Sequence, residues 1–217
     1  MPFAQLQVGQ VTSGEGTNPT ARGGRLSETM ISHTRSRYAE QASRGNIFSM
    51  VLTATTTGVA AGNIVGAAAA ASTNFALFNP ANSGVLYHLL KFGLGVISGT
   101  PGAGPMFHGI ISTGIPTVAT TGSIINHLTG KAGGSSALGW ATAAGTTLTG
   151  GGAPVTTRIA NFTSTATAAA SVGELNAIEI IEGDIVIATG NGWVPLWGAA
   201  GTSLLNGYSV TWEEVPI

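Results

Sequence analysis

Beyond residue 46 the chain is divided by glycine, proline and asparagine into short runs of β-forming residues. NFALFNP and VLYHLLKFGLGVI flank an ANSG turn, which predicts a hairpin or a corner between two strands. The ending GYSVTWEEVPI alternates Tyr208, Val210 and Trp212 with polar residues, a period of two that is typical of a half-buried strand. No amphipathic helical pattern alternates with these runs, so the sequence predicts an all-β protein, an antiparallel jelly-roll sandwich or barrel.

Further strands are predicted at the start of Asn46–Thr56, at MFHGIIS, at VTTRIANFTST and at ELNAIEIIEGDIVIA, where Gly183 is expected to introduce a bend. Pro116–Gly152 is rich in glycine, threonine and alanine and predicts a loop-rich insertion. Ala67–Ala71 departs from the β pattern because alanine is a strong helix former, and it predicts one short helix on a loop.

Strict alternation along the VLYHLLKFGLGVI run predicts two faces for that strand. One face would hold His88, Leu90, Phe92, Leu94 and Val96. The other would hold Tyr87, Leu89, Lys91, Gly93 and Gly95.

Charged residues are few and unevenly placed. They make up 8% of the chain, against roughly a quarter in an ordinary soluble protein. Asn46–Leu90 contains no Asp, Glu, Lys or Arg at all. A soluble monomer rarely leaves so long a stretch without charges, so we expect other subunits to cover part of the surface.

Five of the eight basic residues lie within residues 1–46, a segment punctuated by glycine and proline. We call them the arm arginines: Arg22, Arg25, Arg35, Arg37 and Arg44. The predicted organisation is an N-terminal arm, residues 1–46, that binds another protein subunit, followed by a β-sandwich body, residues 47–217. Ser27 could cap a short helix that continues to about Ala42, whereas an extended arm that orders on its partner is the alternative.

The arm arginines favour a protein partner over nucleic acid. Three nearby glutamates reduce their net charge and no lysine reinforces them. Guanidinium groups form planar, bidentate bonds to carboxylates and carbonyl oxygens, which suits an acidic protein surface. The formal net charge of −1 is evidence against broad attraction of the whole chain to nucleic acid or to an anionic membrane.

Targeting and membrane signals are weak. The N-terminus lacks the basic and continuously apolar regions of a secretory signal. Met50–Ser72 is long enough to span a bilayer, but it has few strongly apolar residues among its threonines and glycines, so we expect no membrane insertion. Cysteine is absent, which removes disulfides and thiolate metal sites.

The pattern of ionisable residues predicts neither catalysis nor a cofactor. No metal-binding histidine spacing, phosphate loop or nucleophile elbow occurs. His108 is expected to be a strand residue satisfied by the backbone. Glu179, Glu182 and Asp184 could supply oxygen ligands to a cation, although solvated charges at a strand edge are the more ordinary interpretation. Glu179 with Asp184 is also the only nearby carboxylate pair that a hydrolase could use.

The segment RGGRLSETMISHTRSRYAEQASRGNIF, together with FALFNPANSGVLYHLLKF, resembles the head decoration, or cement, proteins of tailed bacteriophages. This resemblance covers about Arg22 to Ile97. It implies a non-enzymatic virion protein with a jelly-roll body that lies on the outer surface of the capsid as a homotrimer. It also implies that the arm grips neighbouring subunits of the major capsid protein and so stabilises the head.

An alternative function is a head fibre or tail attachment module that binds a host-surface glycan. Exposed aromatic side chains would be its sign, and Trp140, Trp193 and Trp197 are the candidates. Core packing is the more ordinary role for these tryptophans.

Overall fold

The computed structural model describes residues 38–52, 59–60, 75–100, 104–112, 122–141, 154–164, 177–198 and 202–217. Contacts within the chain separate residues 1–40 from residues 41–217, and every described strand belongs to the second unit. The described residues contain one short helix, α1 (Ala39–Ser43), and twelve strands. The predicted helix from Ser27 lies mostly outside these residues, and its described end is helical.

The strands follow one another along the chain. They are β1 (Ile47–Val51), β2 (Val59–Ala60), β3 (Phe75–Phe78), β4 (Val85–Thr100), β5 (Gly104–Ile111), β6 (Ile124–Asn126), β7 (Leu138–Ala141), β8 (Val155–Ser164), β9 (Ala177–Ile180), β10 (Val186–Ile187), β11 (Gly192–Trp197) and β12 (Thr202–Pro216). The predicted β-forming runs are therefore confirmed as strands.

The strands form two antiparallel sheets that pack face to face. Sheet 1 has seven strands in the order β10-β4-β12-β1-β6, with β2 also paired to β12 and β9 also paired to β4. Sheet 2 has five strands in the order β7-β3-β11-β5-β8. The long pair of β4 and β12 runs along the middle of sheet 1. The predicted fold class is confirmed: the body is an all-β, jelly-roll-like sandwich.

Aromatic side chains fill the space between the sheets. Phe92 of sheet 1 meets Trp193 of sheet 2 edge to face at 5.3 Å between ring centroids, and it meets Phe162 in the same way at 5.6 Å. Trp212 is also fully buried in this cluster. Because burying one large apolar side chain stabilises a fold by roughly 1.5–3 kcal/mol, this aromatic layer is a major source of its stability.

Two strands of sheet 2, β3 and β11, are buried on both faces. Phe75 and Trp193 belong to the cluster between the sheets, whereas Phe78 and Val194, on alternate positions, belong to a second buried cluster. All four residues of β3 and all six of β11 are buried. This explains why FALF and GWVPLW are nearly continuous apolar runs without alternation.

A β-bulge at Leu90 changes which side chains of β4 face the core. Thr211 lies opposite Lys91, but the next residue, Trp212, lies opposite Leu89, so Leu90 is the extra residue. An extra residue shifts the alternation by one position. Tyr87 and Leu89 therefore face the core on the same side of the strand as Phe92, Leu94 and Val96. The predicted division of this strand into two strictly alternating faces is wrong for that reason.

The turn between β3 and β4 is a corner, because the two strands belong to different sheets. Asn79 is fully buried there, and its side-chain nitrogen donates to the carbonyl of Val85 at 2.8 Å and to that of Ile187 at 2.9 Å. Its side-chain oxygen accepts a hydrogen bond from Ser83. One buried amide thus ties the corner to the end of β10.

Pro116–Gly152 is only partly a loop, because β6 and β7 lie within it. Gly139 of β7 is needed at its position, since a β-carbon there would overlap the sulfur of Met50. A strand that offers glycine to the core carries a weak sequence signal, which is why the prediction missed it. Ala67–Ala71 lies outside the described residues. Within the described ranges, no helix is both long and apolar enough to cross a membrane.

Candidate functional site

A buried polar cluster connects the two sheets at one side of the sandwich. Glu179 lies on β9, which pairs with β4 of sheet 1, whereas His108 and Arg158 lie on β5 and β8 of sheet 2. Glu179 is only 4% exposed and His108 is fully buried. We call Glu179, His108, Arg158 and Asp184 the carboxylate cluster.

Both carboxylate oxygens of Glu179 accept hydrogen bonds. Oε2 accepts from Nε2 of His108 at 3.0 Å and from the backbone N–H of Asn161 at 3.1 Å. Oε1 accepts from the Arg158 guanidinium at 2.5 Å. Burial alone would raise the pKa of Glu179, but these donors outweigh it, and the pKa lies below its ordinary value.

The tautomer of His108 follows from its partners. The indole N–H of Trp193 can only donate, and it lies 3.1 Å from Nδ1 of His108. Nδ1 is therefore the acceptor, and Nε2 carries the proton that is donated to Glu179. Burial lowers the pKa of His108, although the neighbouring carboxylate opposes this shift. His108 is thus a neutral side chain at neutral pH, held between an indole and a carboxylate.

Two local irregularities in the strands bring the cluster together. In β8, Thr163 lies opposite Pro105, but the next pair is Ile159 with Phe107, so the residues around Asn161 bulge from the ladder. This bulge turns the Asn161 N–H towards Glu179.

The second irregularity is the turn after β9. Glu182 and Gly183 have positive φ values of 60° and 89°. Left-handed backbone at a residue other than glycine is strained and persists only where the surroundings enforce it. Beyond this turn, Asp184 accepts a hydrogen bond from the second guanidinium nitrogen of Arg158 at 2.9 Å.

The geometry favours a structural role for the carboxylate cluster. Glu179 and Asp184 are held by the same guanidinium, and a general acid would need a raised pKa rather than the lowered one of Glu179. The hydrolase alternative therefore gains no support from this pair. Among the described residues no group of three or more potential ligands could hold a metal ion.

Two expectations for this cluster need correction. Glu179 is not a solvated edge charge, because its strand points the carboxylate inward and exposes the neighbouring isoleucines. His108 is satisfied by the side chains of Trp193 and Glu179 rather than by the backbone. Asp184 does match its prediction, since 75% of its side chain is exposed.

A second polar cluster surrounds Glu214 at the end of β12. Ser135 donates to its Oε1 at 2.5 Å, and the hydroxyl of Ser136 donates to its Oε2 at 3.2 Å. The Tyr87 hydroxyl lies 2.8 Å from that of Ser136, and burial raises the pKa of the tyrosine. These bonds fasten the segment before β7 to the edge of the core.

The structure locates only one of the arm arginines. Arg44 follows α1 and is exposed. Arg22, Arg25, Arg35 and Arg37 lie outside the described residues. The idea that the arm binds a partner therefore stays a prediction.

The tryptophans proposed as a glycan platform are mostly core residues. Trp193 is fully buried and Trp197 is 1% exposed. The Trp197 indole donates to the hydroxyl of buried Tyr208 at 3.3 Å, and burial raises the pKa of that tyrosine to about 12. Both indoles have polar partners inside the sandwich, so neither offers a face to a sugar. The side chain of Trp140 lies outside the described part of the chain.

A surface of exposed aliphatic residues on β8 and β9 was not predicted from the sequence. Ile178 is 71% exposed, Ile180 is 61% exposed, and Ile159 and Val155 on β8 are 60% and 64% exposed. The signal that could have revealed it was the segment Ile178-Glu179-Ile180, in which a single inward carboxylate forces its two apolar neighbours outward. Contiguous exposed aliphatic residues are uncommon on a monomer and mark interaction surfaces.

Comparisons of the chain with protein-family models, with curated proteins and with solved structures found no match. The function is therefore argued from two features of the structure. The first is the set of ionisable groups that are hydrogen-bonded inside the sandwich, and the second is the set of aliphatic residues exposed on its outside.

Proposed function

We propose that this chain is a virion structural protein, a capsid decoration protein of a tailed bacteriophage. In this proposal it works as a homotrimer on the outer surface of the head and bridges neighbouring subunits of the major capsid protein. The sandwich supplies the subunit contacts and the arm, residues 1–46, supplies the grip on the capsid.

The exposed aliphatic surface on β8 and β9 is the observation that carries this proposal. Ile159, Ile178 and Ile180 are each more than half exposed, on strands whose inward residues are well satisfied. A chain with such a surface gains stability by burying it against another protein. A role in assembly explains this arrangement better than a role in chemistry does.

The use of charge inside the sandwich supports the same function. Glu179 and His108 are buried and bonded to each other, and Glu214 is bonded to two serines. These groups join strands and loops and leave no free nucleophile or general base among them. The arm arginines are the main concentration of positive charge in the sequence, and in this proposal they contact the partner.

Three arms on one trimer would bind far more strongly than one. Once the first arm is bound, each further arm meets its site at an effective concentration in roughly the millimolar range. Modest individual contacts can therefore hold a decoration protein on a shell that is under pressure from packaged DNA.

The proposal is tested by co-sedimentation with heads from a phage mutant that lacks this chain. The full-length protein is compared with a variant in which all five arm arginines are changed to glutamine. The matched control changes an exposed lysine of the body, Lys131, to glutamine in the same way. It also removes positive charge, but outside the arm.

We expect saturable binding of the full-length protein and of the lysine control. We expect at least about a hundredfold weaker binding of the arginine variant, because all three arms of the trimer lose their charge-assisted contacts together. Equal binding by all three proteins would refute the role of the arm. Absence of binding by the full-length protein would refute the capsid function itself. Binding to cell envelopes but not to heads would favour the host-attachment alternative.

A further inference from the structure

The outer face of sheet 1 contains a hollow of about 590 Å³. Its floor is formed by small residues on the two central strands, Gly93 and Gly95 of β4 and Gly207 and Ser209 of β12. Ile178 of β9 forms part of its lining. The described residues that line the hollow carry no charge.

Ile178 also borders a second groove, of about 620 Å³, between β8 and β9. Ile159 and Ile180 line that groove with it. Ile178 is therefore a ridge between two depressions, and its 71% exposure makes it the most prominent aliphatic side chain within a described strand. We call Ile178 and Ile180 the ridge.

We propose that the ridge of one copy of this chain inserts into the glycine-lined hollow of a second copy. This inference rests on the proposed function, because it supplies the subunit contact of the homotrimer. Ridge and hollow lie side by side on one subunit, so each copy carries both halves of the contact. Repetition of such a head-to-tail contact closes a ring when the rotation between copies allows it.

The charge of the two halves favours a second copy over a charged partner. The hollow is lined by uncharged residues, and the one carboxylate between the ridge residues, Glu179, points inward to His108 and Arg158. Neither half would strip water from an unpaired charge when they meet, and desolvated charge is the main cost of burying a polar surface. Lys91 lies opposite Ile180 and Arg158 lines the groove beside Ile178, so positive charges lie at the rim of the contact, whereas the hollow itself offers none to an acidic or nucleic-acid partner.

The exposed apolar area also fits a contact between subunits. Val51 beside the hollow is 47% exposed, and Ile97 farther along β4 is 43% exposed. Together with the exposed residues of β8 and β9 they leave roughly 350 Å² of aliphatic surface, taking roughly 100 Å² for a fully exposed side chain and weighting each residue by its exposure. A standard interface buries about 800 Å² on each partner, so this patch can form its apolar centre with a polar rim around it.

The test measures the mass of the full-length protein in solution by sedimentation equilibrium at micromolar concentrations. Ile178→Lys removes the ridge, and Gly207→Val fills the hollow. A β-carbon at Gly207 would have its nearest neighbours at 3.8 Å, so the first atom of the valine side chain meets no clash inside the subunit. The matched control is Leu128→Lys, which adds the same charge at another exposed aliphatic residue, 55% exposed, in the turn after β6.

We expect a trimer for the wild type and for Leu128→Lys, and a subunit association constant at least about a hundredfold lower for Ile178→Lys and for Gly207→Val. Circular dichroism and thermal unfolding should show folded protein for all four. Trimers that persist in both the ridge and the hollow variants would overturn the inference and leave the capsid function standing. A wild type that is monomeric would also overturn it. Trimers that depend on Ile178 but bind no heads would support the inference and refute the capsid function.

Discussion

Among substitutions of side chains that lie between the two sheets, replacing Glu179 by alanine should be one of the most destabilising. The alanine variant leaves the Nε2–H of His108 and the N–H of Asn161 without their acceptor. A buried donor left unsatisfied costs about 1–3 kcal/mol; His108 is fully buried and the bond at Asn161 only partly so, and the two together cost about 3 kcal/mol. The Arg158 guanidinium is 35% exposed, so water can replace its lost partner and it adds little.

Two further variants separate the effect of unsatisfied hydrogen-bond donors from the effect of losing the ion pair with Arg158. Glu179→Gln keeps one carbonyl oxygen for His108 and Asn161 but turns its amide NH₂ towards the partly exposed Arg158, which loses the ion pair and its hydrogen bond, so we expect a cost of about 1–2 kcal/mol. Asp184→Asn removes the other carboxylate that holds Arg158, but its side chain is 75% exposed, and we expect a cost below about 0.5 kcal/mol.

Thermal unfolding at a fixed subunit concentration measures these differences. In a chain of this size each kcal/mol lowers Tm by about 2–4 °C, so Glu179→Ala should lower Tm by about 10 °C. A loss within about 1 kcal/mol of the wild type would show that the cluster does not hold the sheets together. An equal loss for Asp184→Asn would show that the ion pair with Arg158, and not the buried donors, is what matters.

The remaining predictions concern pH and backbone space. His108 has a lower pKa in the folded chain than in the unfolded one, so its contribution to stability is present above about pH 6.5 and is lost as the pH falls. Tm should therefore decline below that pH, and the decline between about pH 6.5 and 5 should be shallower in His108→Gln; equal slopes would argue against this role. Glu179, whose pKa is also lowered, should make the decline steeper below its ordinary value of 4.5. Gly192→Ala would place a β-carbon against the ring of Phe78 and should cost about 2 kcal/mol or more, whereas Gly207→Ala, with 3.8 Å of space, should change stability by less than about 0.5 kcal/mol in the same unfolding assay.

The sandwich was predictable because the strands that build it carry strong local signals. The alternation of Tyr208, Val210 and Trp212 places three large side chains on one face of β12, and all three are buried. The continuous apolar runs of β3 and β11 belong to strands that are buried on both faces. Such patterns depend on neighbouring residues alone and can be recognised without knowledge of the fold.

The irregular parts of the strands could not be predicted in this way. The bulge at Leu90 becomes visible only when β4 is aligned with β12, because it is a shift in strand pairing that no residue type in the run marks. β9 is inverted, with Glu179 inside and isoleucines outside, so the ordinary rule that apolar residues face the core assigns it the wrong orientation.

The carboxylate cluster was only partly predictable for the same reason. Glu179 and Asp184 are close in the sequence and were recognised together. His108 is 71 positions from Glu179, and the two meet only because β5 of one sheet faces β9 of the other. The bulge in β8 that delivers the Asn161 N–H likewise depends on strand register. Contacts set by register between distant strands leave no mark in a local pattern.

The most direct test of the assembly function is co-sedimentation of the full-length protein with heads that lack it, read out as bound copies per head. We expect binding that saturates at a fixed number of copies, a multiple of three, and that is lost when the five arm arginines are replaced. Heads that sediment without the protein at saturating concentration would show that this chain is not a capsid decoration protein.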